Sequence, residues 1–335
     1  MSRDVLLNFN ESPFGLLPEA ASAARLAVGQ SGRYQFVLAE QLREEIAAWH
    51  GVPLAWVSLY PGSNRVLHYA TMAFTSATAP LVVASPGYAV CETAARLAAR
   101  PVRKIPLRAD GSHDVEAMCA AAPAGGLIYV ANPNNPTGSI TPHRDLMDLL
   151  RKKNPVTTLL IDEAYLEFCD QPSLLDQVAS DASLIVTRTF SKIHGMAGLR
   201  VGYAIAQPAS LSLIHTVPPH DISVPGAAAA LASLKQSEAL AERKATIRRV
   251  REAFMAWLDQ RGIAYTASQA NCMMLQIGRD GNQLARDLAQ RHNIHIGRSW
   301  PEAPDWVRVT IGLDEEMEAL QSALESTLFA DAVGA

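Results

Sequence analysis

Lys192 stands alone behind an apolar run in TRTFSKIHGMAGLR (187–200), with Thr189 and Ser191 before it, a glycine-rich turn after it and Arg200 eight residues on. A lysine held out of water beside other cations has a depressed pKa, and its free amine then serves as nucleophile and base. Other polar, turn-forming residues also sit where apolar runs stop, in PGS (61–63), SPGY (85–88), NPNNPTG (132–138) and DEAY (162–165). In open α/β sheets ligands bind beyond the carboxyl ends of the strands, so these five stretches point to one pocket. Gly62 and Ser63 close VSLYPG and open NRVLHYATMAF, which aims their backbone N–H groups along the positive end of a helix, with Asn64 next to them. No G-x-G-x-x-G follows a strand and no G-x-x-x-x-G-K-[ST] is present, which speaks against a dinucleotide or a nucleoside triphosphate.

The elements that must carry these residues are readable from periodicity. PLVVASP (80–86), GLIYVAN (126–132), TTLLIDEAY (157–165), SLIVTRTFS (183–191) and LRVGYAIA (199–206) are apolar on both faces. Such runs fit a mostly parallel central sheet sandwiched by helices, an α/β fold. YAVCETAARLAAR and PHRDLMDLLRKK read as helices between them, the second with Thr141 as cap and Pro142 in the first turn. LAEQLREEIAAWHG is amphipathic, with Leu38, Leu42, Ile46 and Trp49 on one stripe, and a further helix follows Pro225. From about residue 245 the pattern turns to helix, strand (NCMMLQIG), helix, strand (WVRVTIG). The expected division is an N-terminal arm (1–28) packing on the small domain, a large domain (29–244) and a small α+β domain (245–335).

With 335 residues the chain is long enough for two domains with full cores. A net charge of −4 argues against nucleic acid as partner, and the one basic cluster, Arg243 to Arg251, reads as a solvated helix face. No run approaches the roughly 18 apolar residues of a membrane span, and MSRDVLLNFNESPFG does not read as a signal peptide. Cys91, Cys119, Cys169 and Cys272 lie far apart, which fits a reducing cytoplasm. His292 and His295 lack partners at ligand spacing, so no metal site is expected.

NPNNPTG, DEAY, SK with Arg200 eight residues on, and RVTIG (308–312) together resemble the pyridoxal-phosphate aminotransferases of fold type I. AGLRVGY and the spacing are most similar to the histidinol-phosphate aminotransferase branch. The resemblance runs from NFNESPFG (8–15) to RVTIG and implies a two-domain homodimer with active sites at the subunit interface. It implies that Lys192 holds the cofactor aldehyde as an internal aldimine and shuttles the substrate proton. Asp162 would pair with the pyridine nitrogen, while Asn135 and Tyr165 would bond the phenolate oxygen. Tyr88 would stack on the ring, although a core tyrosine also fits that position. Gly62, Ser63, Asn64, Thr189, Ser191 and Arg200 would seat the phosphate. Tyr34, in GRYQF, resembles the tyrosine that reaches the neighbouring subunit's phosphate, but Gln35 and Phe36 replace the family's Pro-Asp.

On the substrate side, the resemblance places Arg308 where a carboxylate or phosphate binds, and Arg298 near the same end. Asn8 and Asn10 belong to an arm expected to close over the site, with Asn10 touching substrate. His194, His220 and Asp221 are candidates for selecting a cationic or hydrogen-bonding side chain, although a histidine in a loop more often has no such role. Phe14 stands where relatives often carry tyrosine, which speaks against a phosphorylated substrate. The expected reaction moves an amino group between an amino acid or amino-alcohol phosphate and a 2-oxo acid. Decarboxylation of a phospho-amino acid, or cyclisation or oxidation, stays open at this level, because sequence does not fix which bond at the α-carbon is activated.

Overall fold

The computed structural model describes residues 4–214 and 221–329. Strand β1 (Val5–Leu7) opens the chain and is followed by helix α1 (Pro18–Val28), whose Pro18 occupies a first-turn position that needs no N–H. Helix α2 (Phe36–His50) buries Leu42 and Ile46 as its stripe predicts, but Trp49 is 44% exposed. Then β2 (Val57–Tyr60), α3 (Ser63–Phe74), β3 (Leu81–Ser85), α4 (Val90–Leu97), β4 (Val102–Pro106), α5 (Val115–Ala120), β5 (Gly126–Ala131), α6 (His143–Lys152), β6 (Thr157–Asp162), β7 (Leu184–Thr189) and β8 (Gly202–Ile205) form the central layers.

These strands make one sheet in the order β2-β8-β7-β6-β5-β3-β4. β4, β3, β5, β6 and β7 run parallel, and β8 runs antiparallel to both β7 and β2. All five apolar runs became strands of this sheet. Consecutive residues go to opposite faces: Leu127 packs with Leu67 and Leu160 on one side, Ile128 with Leu146 and Leu159 on the other. That two-sided burial is what erased polar alternation from the sequence. β4 lies at the edge with Arg103 and Lys104 exposed, charges that discourage pairing with another chain. At α6, Pro142 rather than Thr141 is the cap residue; the Thr141 hydroxyl instead accepts the His113 N–H at 2.9 Å.

Helices α7 (Pro208–Ile214), α8 (Val224–Leu234) and α9 (Ser237–Asp259) lead to the second layer system. There β9 (Cys272–Gln276), α10 (Gly281–His292), β10 (Ile294–Ile296), β11 (Trp306–Thr310) and α11 (Asp314–Leu328) pack around Phe254, Met273, Leu288, Val309 and Leu320. β9 and β11 pair antiparallel, and β1 pairs parallel with β10. The first 28 residues therefore do not act as one arm. β1 joins the C-terminal layers, whereas α1 buries Ala20 and Ala24 with Leu42, Ala229 and Ala230 beside the large sheet. Helix α9 crosses residue 244 without a break, and its Ile247, Val250 and Phe254 belong to the C-terminal core.

The basic stretch of α9 is only partly a solvated face. Arg249 is exposed and Arg248 half-buried, pairing with Asp314 and Asp170, but Arg243 and Arg251 are buried. Arg243 donates to the carbonyl of Ile193 at 3.0 Å and Arg251 to that of Ala270 at 2.9 Å, so the helix ties down the lysine loop and the start of β9. Among the described residues no helix is long and apolar enough to cross a membrane.

Candidate functional site

A cavity of about 550 Å³ opens beyond the carboxyl ends of β5, β6 and β7, and residues from all five motif stretches line it. Lys192 Nζ projects into it and donates to the carbonyls of Asn10 at 2.9 Å and Phe9 at 3.2 Å. The amine also lies 5.3 Å from the centre of the Tyr165 ring. Burial pushes its pKa down to about 8, and the nearby Arg308 guanidinium acts in the same direction. A large neutral fraction of the amine therefore exists in mildly alkaline water.

Asp162 ends β6, in register with Ala131 and Thr187 on the flanking strands. Its Oδ1 accepts the Ala164 N–H and its Oδ2 the Tyr129 hydroxyl, both at 3.1 Å. Burial pushes this carboxyl up to about 6, opposed by those two donors and by Lys192. The Tyr165 oxygen accepts from Asn10 Nδ2 at 3.1 Å and Asn135 Nδ2 at 3.3 Å. With two amide donors on the oxygen, the phenol's own proton is left to the cavity side. The Tyr88 hydroxyl donates to Asn64 Oδ1 at 3.0 Å.

One end of the cavity is a nest of donors. Gly62 caps α3 at φ +83°, where a side chain would collide with the Arg200 guanidinium. Gly202 in β8 likewise lets that strand run against the backbone of Gly62 and Ser63. The Thr189 hydroxyl donates to Ser191 Oγ at 2.9 Å, and Arg200 Nη1 donates to the Ala197 carbonyl at 2.8 Å. Backbone amides at a helix start, three hydroxyls and a guanidinium suit a phosphate. With the lysine amine, the buried carboxylate and the Asn135–Tyr165 pair, the residues fit pyridoxal phosphate in every functional group.

At the other end Arg308, on β11, donates from Nη1 to Asn135 Oδ1 at 3.0 Å and from Nη2 to the Asn8 carbonyl, while its buried Nε has no partner. Its guanidinium also faces a second cavity of about 670 Å³, shared with Asn64, Tyr88 and Arg200 and lined further by Arg65, His68 and Arg298. No carboxylate side chain lines this second cavity among the described residues. Arg298 lies over the Trp300 ring at 4.7 Å, whose indole N–H donates to the Gly87 carbonyl at 3.3 Å.

Most of the expected site residues thus meet, but five placements differ. Tyr34 is 87% exposed, stacked on Phe36 at 5.3 Å, and lines neither cavity of its own chain. Asn10 is fully buried, and its side chain is occupied by Tyr165 and Thr310 rather than turned to a substrate. His194 points into the core, where its Nδ1 bonds Ser233 Oγ at 2.7 Å and burial pushes its pKa down to about 3. Phe14 packs on Arg243 instead of lining the cavity. Asp221 is exposed and lines neither cavity, and His220 lies outside the described residues. Sequence reading missed Tyr129 and the cavity-lining Phe9 and Glu11. The polar tip of Tyr129 in an otherwise apolar run was the available signal.

Comparison with known proteins agrees with this geometry. The family described as aminotransferase class I and II matches residues 2–324. Histidinol-phosphate aminotransferase 2 of Ralstonia nicotianae is 37% identical over 98% of this chain and 89% of its own length. The enzyme of that name from Symbiobacterium thermophilum is 32% identical over 97% of this chain and 90% of its own. The structure of the Sinorhizobium meliloti histidinol-phosphate aminotransferase in complex with pyridoxal-5'-phosphate superimposes with a TM-score of 0.89 at 27% identity, covering 97% of this chain and 91% of that one. L-threonine-O-3-phosphate decarboxylase from Porphyromonas gingivalis superimposes at 0.82 with 20% identity, over 97% and 99% of the two chains, a likeness of fold alone. The chain belongs to the class I and II aminotransferases and is a pyridoxal-phosphate-dependent aminotransferase of fold type I.

Proposed function

We propose that this aminotransferase takes its amino group from histidinol phosphate and passes it to a 2-oxo acid. The carrying observation is the second cavity, where Arg65, Arg298 and Arg308 stand without a carboxylate on the wall, next to the lysine site. Uncompensated guanidiniums favour a donor with an anionic far end, and a phosphate accepts their paired N–H groups. The names of the similar enzymes from Ralstonia and Symbiobacterium support the same donor.

In this reading each side chain has one task. Bound between Lys192 and Asp162, pyridoxal phosphate supplies an aldehyde for the donor's amine and a protonated ring that accepts the electron pair left at its α-carbon. Lys192 Nζ would carry the α-proton from the donor's carbon to the carbon that bore the cofactor's aldehyde, which its lowered pKa permits. The Asp162 carboxylate holds the ring nitrogen protonated. Asn135 and Tyr165 bond the ring oxygen, and Tyr88 covers the ring face. Gly62, Ser63, Asn64, Thr189, Ser191 and Arg200 anchor the phosphate. Arg308 and Arg298 hold the anionic end of either substrate, the 2-oxo acid by its carboxylates.

The chain also acts as a homodimer in this reading, in the cytoplasm, where its four cysteines stay thiols. Leu26, Val28, Tyr34, Phe36 and Val37 are all more than half exposed, and a second copy covers them. Tyr34 then reaches the partner subunit's phosphate. The test is a half-reaction: cofactor-loaded protein is mixed with histidinol phosphate, histidinol or aspartate, and its visible absorbance is followed. Histidinol phosphate is expected to bleach the aldehyde band fastest. Equal rates with unphosphorylated histidinol, or consumption of donor without bleaching, would overturn the assignment.

A further inference from the structure

Tyr129 is buried in β5, the single side chain with a polar tip in GLIYVA. Its hydroxyl reaches across to β6 and donates to Asp162 Oδ2, the one side-chain hydrogen bond that this carboxylate accepts among the described residues. Oδ1 is held by the Ala164 N–H. One donor on each oxygen fixes the plane of the carboxylate and leaves its remaining lone pairs to the cavity, which both residues line. Burial holds the phenol far above its ordinary pKa, so Tyr129 keeps its proton and acts only as donor.

The other groups facing Asp162 do not replace that bond. Lys192 approaches from the loop after β7, but its amine is engaged by the carbonyls of Phe9 and Asn10. Glu163, next in the chain, opposes a second negative charge, and Arg188 pairs with it at 2.9 Å. Tyr88, in the loop after β3, gives its proton to Asn64. Cys91 on α4 stays a thiol, because burial pushes it up to about 12, and its Sγ lies 3.7 Å from the Leu67 carbonyl.

We propose that Tyr129 is a positioning residue: its phenol keeps Asp162 ionised and turned into the cavity, ready for the protonated ring nitrogen of pyridoxal phosphate. Burial drives Asp162 toward its neutral form, and Tyr129 is the largest opposing influence. Losing a hydrogen bond to a buried charge moves a pKa by about one to two units.

The test begins on cofactor-free protein. The carbonyl stretch of protonated Asp162, identified by its loss in Asp162→Asn, is titrated by infrared difference spectroscopy. Tyr129→Phe is expected to raise the midpoint by about one unit or more. Placing 3-fluorotyrosine at position 129, a stronger donor of nearly the same shape, is expected to lower it, which keeps the question answerable if the Phe variant folds poorly. In the second arm, Tyr129→Phe is expected to weaken pyridoxal phosphate binding about two- to tenfold at pH 7 with Asp162 present, because a rise of about one to two units from about 6 removes that share of the ionised form. In the Asp162→Asn background the same change is expected to leave binding unaltered. A midpoint that ignores both replacements, or an equal loss of binding in both backgrounds, would overturn the proposal.

Discussion

The amine of Lys192 donates to the main-chain carbonyl of Asn10 at 2.9 Å, while the Asn10 side chain donates to Tyr165 and accepts from Thr310. One residue thus ties the N-terminal segment to the reactive nitrogen, to the phenol and to β11. Asn10 adopts φ +54°, a conformation that glycine takes freely and that costs alanine about 1 kcal/mol. Asn10→Gly keeps the carbonyl under Lys192 and removes only the amide. It is expected to lower kcat about tenfold with little change in KM. Asn10→Ala should add a drop in Tm that Asn10→Gly lacks. Equal kcat in wild type and Asn10→Gly would remove the amide from the site's working parts.

Lys192 gives cofactor-free protein an unusual pH dependence. Its folded pKa is about 8 against an ordinary 10.5, so between these values the unfolded chain binds more protons than the native one. Stability contributed by this group therefore rises with pH through that window, and the penalty is full below pH 8. Lys192→Met is expected to stabilise the cofactor-free chain by about 3 kcal/mol at pH 7 and to lose that advantage toward pH 10.5. Denaturant titrations at several pH values measure it; a gap independent of pH would contradict the buried-amine account.

Asp162 carries the opposite charge and a related penalty. A carboxyl raised from 3.8 to about 6 gives the native state extra bound protons between those values, so stability falls as pH rises through them. Above pH 6 the fully buried charge is held at a cost. Asp162→Asn is expected to abolish turnover while raising the Tm of cofactor-free protein at pH 7.5. At pH 4 the Tm gain should shrink. A variant that is both inactive and less stable at every pH would mean that Asp162 is a structural group.

How much of this was legible in the sequence depended on what each position had to satisfy. The buried strands were readable because contact on both faces leaves only apolar residues, and the motif residues were readable because polar turn formers directly after such runs have few other uses. β4 was not, since an edge strand carries charges like a loop's. His194 looked like a pocket residue from its distance to Lys192 along the chain, but the turn at Gly195 sends it to Ser233 and the Phe190 ring. The Asn10 hub joins residues some 155 and 300 positions apart, and no local spacing records such contacts.

Gly62 sets the width of the phosphate end. At φ +83° an added Cβ is strained, and it would strike the Arg200 guanidinium. Gly62→Ala is expected to displace Arg200 and weaken cofactor binding by about one to two orders of magnitude, with Lys192 and Asp162 untouched. Equilibrium dialysis with pyridoxal phosphate reads this directly. Unchanged affinity would place the phosphate elsewhere in the cavity.

Tyr34 decides whether the sites are shared. Within its own chain it lines neither cavity around Lys192. If it completes the partner's site, a dimer of one Lys192→Ala chain and one Tyr34→Phe chain contains one site with both defects and one with neither. Random reassortment of the two inactive homodimers makes about half the dimers mixed, each with one good site, so about a quarter of wild-type activity should return. If Tyr34 acts within its own chain, or not at all, every Lys192→Ala site and every Tyr34→Phe site keeps its own defect, and mixing restores nothing beyond the residual rate of the Tyr34→Phe protein. Activity measured before and after subunit exchange therefore separates a site closed by two chains from one closed by a single chain.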